Sequence, residues 1–350
     1  MVRVGVVGLG QNGIAHIDSH LRVGRSRIVA LCDSNPERLQ AAGKMLGIDR
    51  LHRDAAELCS SSDIDAVSIN TGDPSHADPF VRAVRAGKHV LVEKPVANSD
   101  TDIEAMVRAA REATRTRRRA GLPPLVLAVG YILRFNPVYE AIHSACVKGE
   151  LGRIFYMEAD YVHNLLYQAA QTDPAGGNWY LDDERPMVGG GSHPLDLLRW
   201  MSGAEVVETA GFSNRIAFPA MRHDDCQVAL FRFSTGAVAK VAALYAPRCA
   251  MAPFYNLRLY GTRGTVERDR IALARDEADV HPSLHEVDAA RVEGHPYDPE
   301  VGDWLDAIER GGRPRCDFFD GANSTIATLA ACRAMSGGGA ESVPVYSGEP

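Results

Sequence analysis

Over residues 2 to 130 short apolar runs alternate with amphipathic stretches of helical spacing. The runs are "VRVGVVG" (2–8), "RIVALCD" (27–33), "DAVSINT" (65–71), "HVLVEKP" (89–95) and "PLVLAVGY" (124–131). The helical stretches lie at 13–22, 35–46, 74–87 and 99–119. Strands that are apolar on both faces and separated by helices predict a parallel sheet with helices on either side. Right-handed crossovers then make it a doubly wound α/β fold.

Past residue 130 the period shortens to two. "RIFYMEADYVH" (153–163), "CQVALFRFS" (226–234), "AVAKVAALYA" (237–246) and "FYNLRLYGTRGTVE" (254–267) alternate apolar and polar positions, as antiparallel strands with one wet face do. "GTRG" at 261–264 marks a turn, and helices near 299–310 and 320–336 close the chain. The expectation is a Rossmann domain over 1–130, followed by an α+β domain over 131–350 with a large, mostly antiparallel open sheet. An open sheet leaves a face that often joins subunits, so a homodimer or homotetramer is expected.

Composition narrows the function. At 350 residues, with 45% hydrophobic and 24% charged residues, the chain suits a two-domain globular protein. A formal net charge of -7 disfavours a nucleic-acid partner. The basic "RTRRR" at 115–119 reads as the solvated end of a helix, where cations favour the macrodipole. Seven scattered cysteines, without a CxxC pair, read as reduced thiols. "HDDC" at 223–226 reads as a polar turn, and no metal is expected. There is no apolar leader and no run long enough to span a bilayer, so a cytoplasmic protein without membrane partners is expected.

"GLGQNG" at 8–13 follows a strand pattern and opens a helix, the context in which G-x-G-x-x-G binds a dinucleotide. Gly8 permits the turn, Gly10 lets the backbone approach a pyrophosphate, and Gly13 allows close helix–strand contact. Gln11 and Asn12 belong to the same cofactor loop. Asp33, twenty residues past Gly13, stands where an acid bonds a ribose 2′-hydroxyl and repels a 2′-phosphate. NAD is favoured over NADP on that ground, with Arg38 the one cation that could fold back. "VEKPV" at 92–96 places Lys94 at the carboxyl end of a parallel strand, where ligands of such sheets bind. Lys94 can bond a substrate oxygen there, and Glu93 can contact the cofactor ribose or pair with the lysine.

"GLGQNGIAH", "TGDPSH", "AGKHVLVEKP", "GYILRFNP" and "GSHPLDLLRW" together resemble the glucose–fructose oxidoreductase / inositol dehydrogenase / rhizopine-catabolism (Gfo/Idh/MocA) family over nearly the whole chain. The resemblance implies NAD(P)-dependent oxidation or reduction of sugars, cyclitols or related polyols. It implies that Lys94 contacts the reacting hydroxyl or carbonyl, that Thr71, Pro74 and His76 form the nicotinamide-side loop, and that Arg134 and Asn136 lie in the segment entering the second domain. It makes His193 the second catalytic residue, with Gly191 and Asp196 as its motif companions. Arg134, Asn164, Trp179 and Asp196 join Lys94 and His193 as candidate substrate contacts, with Tyr161, His163 and Tyr180 beside them.

One position departs from the family pattern. Four residues ahead of the histidine, where many members carry an aspartate partner, stands Gly189. An imidazole with an ordinary pKa of roughly 6.5 suits proton exchange with a hydroxyl, and a carboxylate beside it would orient it and raise its basicity. Without one, His193 needs another partner. Asp196 could serve, or could be structural. The leading expectation is a dehydrogenase or reductase acting on CH–OH groups, Lys94 handling the reacting oxygen and His193 assisting. The alternatives are an NAD(H)-binding sensor without turnover and an NAD-dependent glycoside hydrolase of the same family type.

Overall fold

The computed structural model describes residues 1–166, 179–248, 255–292 and 295–348; Cys249 and the first residue of the 254–267 stretch lie outside them. The chain divides into two units. One holds residues 1–135 with 294–322 and 346–350, the other 136–293 with 323–345.

The first unit runs β1 (Val2–Val7), α1 (Gln11–Val23), β2 (Ser26–Cys32), α2 (Pro36–Leu46), β3 (Leu51–His52), α3 (Ala55–Ser60), β4 (Ala66–Ile69), α4 (Ala77–Arg85), β5 (His89–Val92), α5 (Asp100–Arg119) and β6 (Leu127–Val129). Among the described residues its sheet is parallel, in the order β3-β2-β1-β4-β5-β6. The chain reverses direction across the sheet between β1 and β4, the switch point outside which doubly wound sheets bind their ligands. The helices start where sequence chemistry directs. Asn35 accepts hydrogen bonds from the amides of Glu37 and Arg38 ahead of Pro36, and Ser99 accepts from Asp102, satisfying end amides that would otherwise be orphaned. Val4, Val6, Leu31, Ala66 and Leu91 are buried against Val301, Trp304 and Leu305, which belong to a later helix of the same unit.

The second unit carries α6 (Pro137–Val147), β7 (Ile154–Val162), α7 (Trp179–Asp182), α8 (Pro186–Gly189), α9 (Ser192–Ser202), β8 (Val206–Asn214), β9 (Cys226–Phe233), β10 (Val238–Leu244), β11 (Arg258–Gly261), β12 (Gly264–Glu267), β13 (Arg270–Leu273) and β14 (His285–Glu286). The chain then returns to the first unit through α10 (Tyr297–Arg310). It crosses again within α11 (Phe318–Gly337) and adds β15 (Glu341–Ser342) to the second sheet. That sheet has nine strands among the described residues, ordered β14-β13-β12-β11-β7-β10-β9-β8-β15. Every pair is antiparallel except β7 with β10. The exception to the antiparallel expectation follows from the connection: the segment carrying α7, α8 and α9 separates β7 from the other strands, and only a long crossover lets neighbours run parallel.

Residues directly opposite in this sheet share a face, so its outer surface is legible from the pairing. Phe212 faces Val228, Leu230 faces Lys240, and Val238 lies between Arg232 and Tyr156. Phe212 is 88% exposed and Leu230 52%. Toward β11 the same face turns charged, where Lys240 bridges Glu158 and Asp160, and Arg258 reaches Glu267.

Candidate active site

At the end of β1 the chain turns at Gly8, whose φ of +87° suits glycine. A Cβ on Gly8 would stand 2.6 Å from the backbone of Asn70 and Thr71, and one on Gly13 would stand 2.0 Å from the Gly8 carbonyl oxygen. Gly10 differs: nothing lies within 4 Å of its missing Cβ. The helix α1 begins at that open space with no side-chain cap and no acid in its first turn, where Gln11 and Asn12 are exposed. Uncapped amides at the positive end of a helix, with room in front of them, fit an anionic pyrophosphate. The cleft there measures about 620 Å³ and is lined by Gly8, Gly10, Asp33, Arg38, Thr71 and Pro74 among others, a size suited to a cofactor.

Asp33 closes β2. One carboxylate oxygen accepts the Leu9 amide at 2.8 Å and the other accepts the Asn35 amide at 2.8 Å. Arg38 does fold back, its guanidinium 3.5 Å from Asp33. The carboxylate thus lines the cleft with a cation already leaning on it.

Beyond β4 and β5 the loops are tied to each other. His76 is buried, with Nδ1 2.8 Å from the Pro95 carbonyl and Nε2 3.0 Å from the Thr71 carbonyl. This clamp sets the Thr71–Pro74 loop beside Lys94, whose peptide bond to Pro95 is cis. Burial pushes Asp73 in that loop up to about 7, against the pull of the Lys94 ammonium and with the push of Glu93.

Glu93 turns inward. Its carboxylate accepts the Lys94 amide at 3.0 Å and the His16 Nε2–H at 2.9 Å. Burial would raise Glu93, yet His16 and the Lys94 charge hold it below the usual carboxylate range. On the other side of His16, Glu300 is buried 4.0 Å away and forced well above that range by burial and by the charges of Glu93 and Asp303. Two carboxyls flanking one imidazole are thereby driven to opposite protonation states, a pattern common at acid–base sites.

In the second unit His193 opens α9 and is buried. The ring of Tyr161 stacks on it at 6.3 Å, and Tyr255 meets it edge-on at 6.2 Å. The Tyr161 hydroxyl lies 3.0 Å from His163 Nδ1. Beneath the turn, Glu184 accepts the indole N–H of Trp179 at 2.9 Å and the hydroxyl of Tyr245, which itself accepts the Gly190 amide at 2.9 Å. Burial, reinforced by Glu184, holds the Tyr245 hydroxyl far above its ordinary titration range; for Tyr161, burial and then Tyr255 act ahead of Glu184. Both hydroxyls stay protonated.

Packing compels the second and third of the three consecutive glycines, and the first makes room for a side-chain carboxylate. A Cβ on Gly189 would fall 2.0 Å from a Glu184 oxygen, one on Gly190 2.4 Å from the Tyr161 ring, and one on Gly191 2.7 Å from the Met187 carbonyl.

The remaining candidates each make contacts that support their local fold. Arg134 donates to the Arg315 carbonyl at 2.8 Å and lies 3.6 Å from Asp320. Asn136 caps α6, and Asn164 accepts the Leu166 amide. Asp196 accepts the Ser324 hydroxyl at 2.7 Å and lies 4.0 Å from Arg199, so its contacts are those of a helix tie. Tyr180 packs beside Leu165, Met221 and Tyr245.

Asp73, His16, Glu300, Glu184, Tyr245 and Tyr255 escape the sequence reading. Asp73 sits inside "TGDPSH" and His16 inside "GLGQNGIAH", so their motifs held a signal. Tyr245 and Tyr255 come from segments distant in the chain, and Glu184, five residues before Gly189, fits no motif spacing.

Residues 2–118 match the Gfo/Idh/MocA family described as an oxidoreductase family with an NAD-binding Rossmann fold, and residues 139–267 match that family's C-terminal domain. The D-apiose dehydrogenase of Paraburkholderia graminis is 31% identical over 82% of this chain and 70% of its own length. The chain belongs to the Gfo/Idh/MocA oxidoreductases. Within that family the 1,5-anhydro-D-fructose reductase of Ensifer adhaerens is 26% identical over 98% of this chain and 99% of its own. A levoglucosan dehydrogenase solved with NADH shares the fold, with a TM-score of 0.81 at 21% identity over 98% of this chain and 99% of that one. The family assignment makes the chain an NAD-binding oxidoreductase. No helix among the described residues is long and apolar enough to cross a membrane.

Proposed function

We propose that the chain interconverts a secondary hydroxyl and a ketone on a sugar, cyclitol or related polyol, with NAD as the redox partner. The observation that carries this reading is Lys94 at the carboxyl end of β5, fastened through the His76 clamp to the loop lining the dinucleotide cleft. The names of the relatives support the substrate class: D-apiose dehydrogenase and 1,5-anhydro-D-fructose reductase act on sugars.

NAD, when bound, supplies the hydride acceptor. Gly8, Gly10 and Gly13 with the first turn of α1 would hold its pyrophosphate, and Asp33 its adenosine ribose. Gln11, Asn12, Thr71, Pro74 and His76 complete that half, with Glu93 supporting it through Lys94. Lys94 holds the reacting oxygen and bears part of its negative charge as the carbon loses hydride. His193 assists by taking the hydroxyl proton, so that a C–H and an O–H bond break and a C=O bond forms. Arg134, Asn164, Trp179 and Asp196 support the substrate pocket. The outer face of the second sheet, around Phe212, Leu230 and Val238, is where two copies of the chain meet.

The test offers the purified chain NAD with a panel of aldoses, anhydro sugars and inositols and follows absorbance at 340 nm. Turnover of at least one is expected. Lys94→Ala should lower kcat by about 100-fold or more, the size of a lost acid–base or polarising group, while NADH binding measured by fluorescence holds. Near-normal turnover by Lys94→Ala would sink the mechanism. Tight NADH binding without turnover of any compound would point to a sensor.

A further inference from the structure

We propose that Glu184 supplies the carboxylate that position 189 lacks, as a positioning residue for His193. The inference rests on the reading of His193 as proton acceptor only for its catalytic consequence; the placement of the charge is independent of it.

Space gives the first observation. The Cβ of any residue at 189 would lie 2.0 Å from one Glu184 oxygen and 2.7 Å from its carboxyl carbon. A side chain at 189 and the Glu184 carboxylate are therefore alternative occupants of one volume.

Register gives the second. Hydrogen bonding of mixed spacing links the two short helices across the turn: Gly189 N–H to Arg185 at 2.8 Å, Gly190 and Gly191 both to Pro186 at 3.1 and 2.8 Å, His193 to Gly190 at 3.2 Å and Leu195 to Gly191 at 3.2 Å. Gly190 and Gly191 both have right-handed helical torsions. Residues four apart on such a path are side-by-side neighbours. A carboxylate on Gly189 thus stands one turn ahead of the imidazole and on its side of the helix.

The third observation is how the charge is held. Glu184 is only 7% exposed, which a carboxylate tolerates when hydrogen-bonded. The Trp179 indole and the Tyr245 hydroxyl supply those bonds, and Tyr161 stacks between Tyr245 and His193, 5.7 Å from the one and 6.3 Å from the other.

Other ionisable groups face His193 from every side. Tyr161 and His163 come from β7 and the residue after it, Tyr245 follows β10, and Tyr255 precedes β11. On α9 itself Asp196 is engaged by Ser324 and Arg199, and from α6 His143 stacks on Trp200 at 3.9 Å. A carboxylate in the volume of a side chain at 189, one turn ahead of His193, favours the imidazolium and so raises the basicity of the ring.

The experiment titrates the His193 ring protons by NMR in the full-length protein, the resonance being assigned by its loss in His193→Gln. Glu184→Gln should lower the His193 titration midpoint by about one unit, a tenfold loss of proton affinity. The double variant Glu184→Ala with Gly189→Asp moves the carboxylate to the vacated volume and should restore the midpoint. An unchanged midpoint in Glu184→Gln overturns the proposal, as does failure of the double variant to restore it. If Glu184→Gln does not fold, Glu184→Asp serves, with a smaller downward shift expected and no shift overturning.

With a polyol that is turned over, the kcat–pH limb abolished by His193→Gln should move to lower pH in Glu184→Gln, with KM unchanged. A moved NMR midpoint with an unmoved kcat limb would leave the placement standing and sink the reading of His193 as proton acceptor.

Discussion

The two sheets of this protein carry chemistry in opposite ways. In the parallel sheet the topology does the placing. Adjacent strands β1, β4 and β5 end on the same edge, so "GLGQNG", the Thr71–Pro74 loop and Lys94 are assembled because each follows a strand. The second sheet contributes no such edge. Its candidate residue, His193, sits on a helical turn whose surroundings come from α7, β7 and the segment after β10, and the side chains that matter meet there by packing. Where backbone direction gathers a site, single residues can be changed one at a time. Where packing gathers it, changing one residue displaces another.

The largest expected effect tests the first half of that contrast. Gly13→Ala pushes a methyl to 2.0 Å from the Gly8 carbonyl and should weaken NADH binding about 100-fold or more by fluorescence titration. Undiminished binding would mean that close helix–strand contact does not shape the pyrophosphate site.

The open face of the second sheet is tested next. Phe212→Asp places a charge on a side chain that is 88% exposed in the single chain. It should reduce the mass measured by light scattering to that of a smaller assembly without lowering the melting temperature. An unchanged mass would remove this face as the contact between copies.

The smallest effect concerns Glu300, a buried acid of the first unit whose oxygens find no hydrogen-bond partner among the described residues. Its pKa is raised in the folded state, so its favourable contribution is complete below the unfolded value of about 4.3 and drains away as pH rises above it. Glu300→Gln cannot titrate. Its melting temperature should match the parent at pH 4 and exceed it by about 2–4 °C at pH 8; an equal difference at both pH values would show that Glu300 is not held protonated.

The same contrast explains what was legible in the chain. Continuous apolar strands and Gly-rich turns announced the first sheet, because a strand buried on both faces and a phosphate loop each leave a local pattern. The two-residue β3 is too short to leave one, and α3 signals only its start, where Asp54 accepts the Ala56 amide. Alternation announced β7, β9 and β10 but could not say that β7 and β10 run parallel, since direction depends on the connection. The glycine at 189 reads locally as a lost aspartate. Its cause, Glu184, lies five residues back and is brought into place by Trp179 and Tyr245, which no local spacing encodes. Arg134 and Asp196 fit a motif, yet each also bonds a residue far along the chain, Arg315 and Ser324, that no motif spacing indicates.

His76 closes on a matter of arithmetic. Burial drives its pKa down, which leaves a neutral ring with a single N–H, while two carbonyl oxygens, from Thr71 and Pro95, wait on its two nitrogens. One proton must be shared between two claimants. The clamp therefore works by alternation, its N–H bonding the loop after β4 or the loop after β5 while the bare nitrogen rests against the other carbonyl.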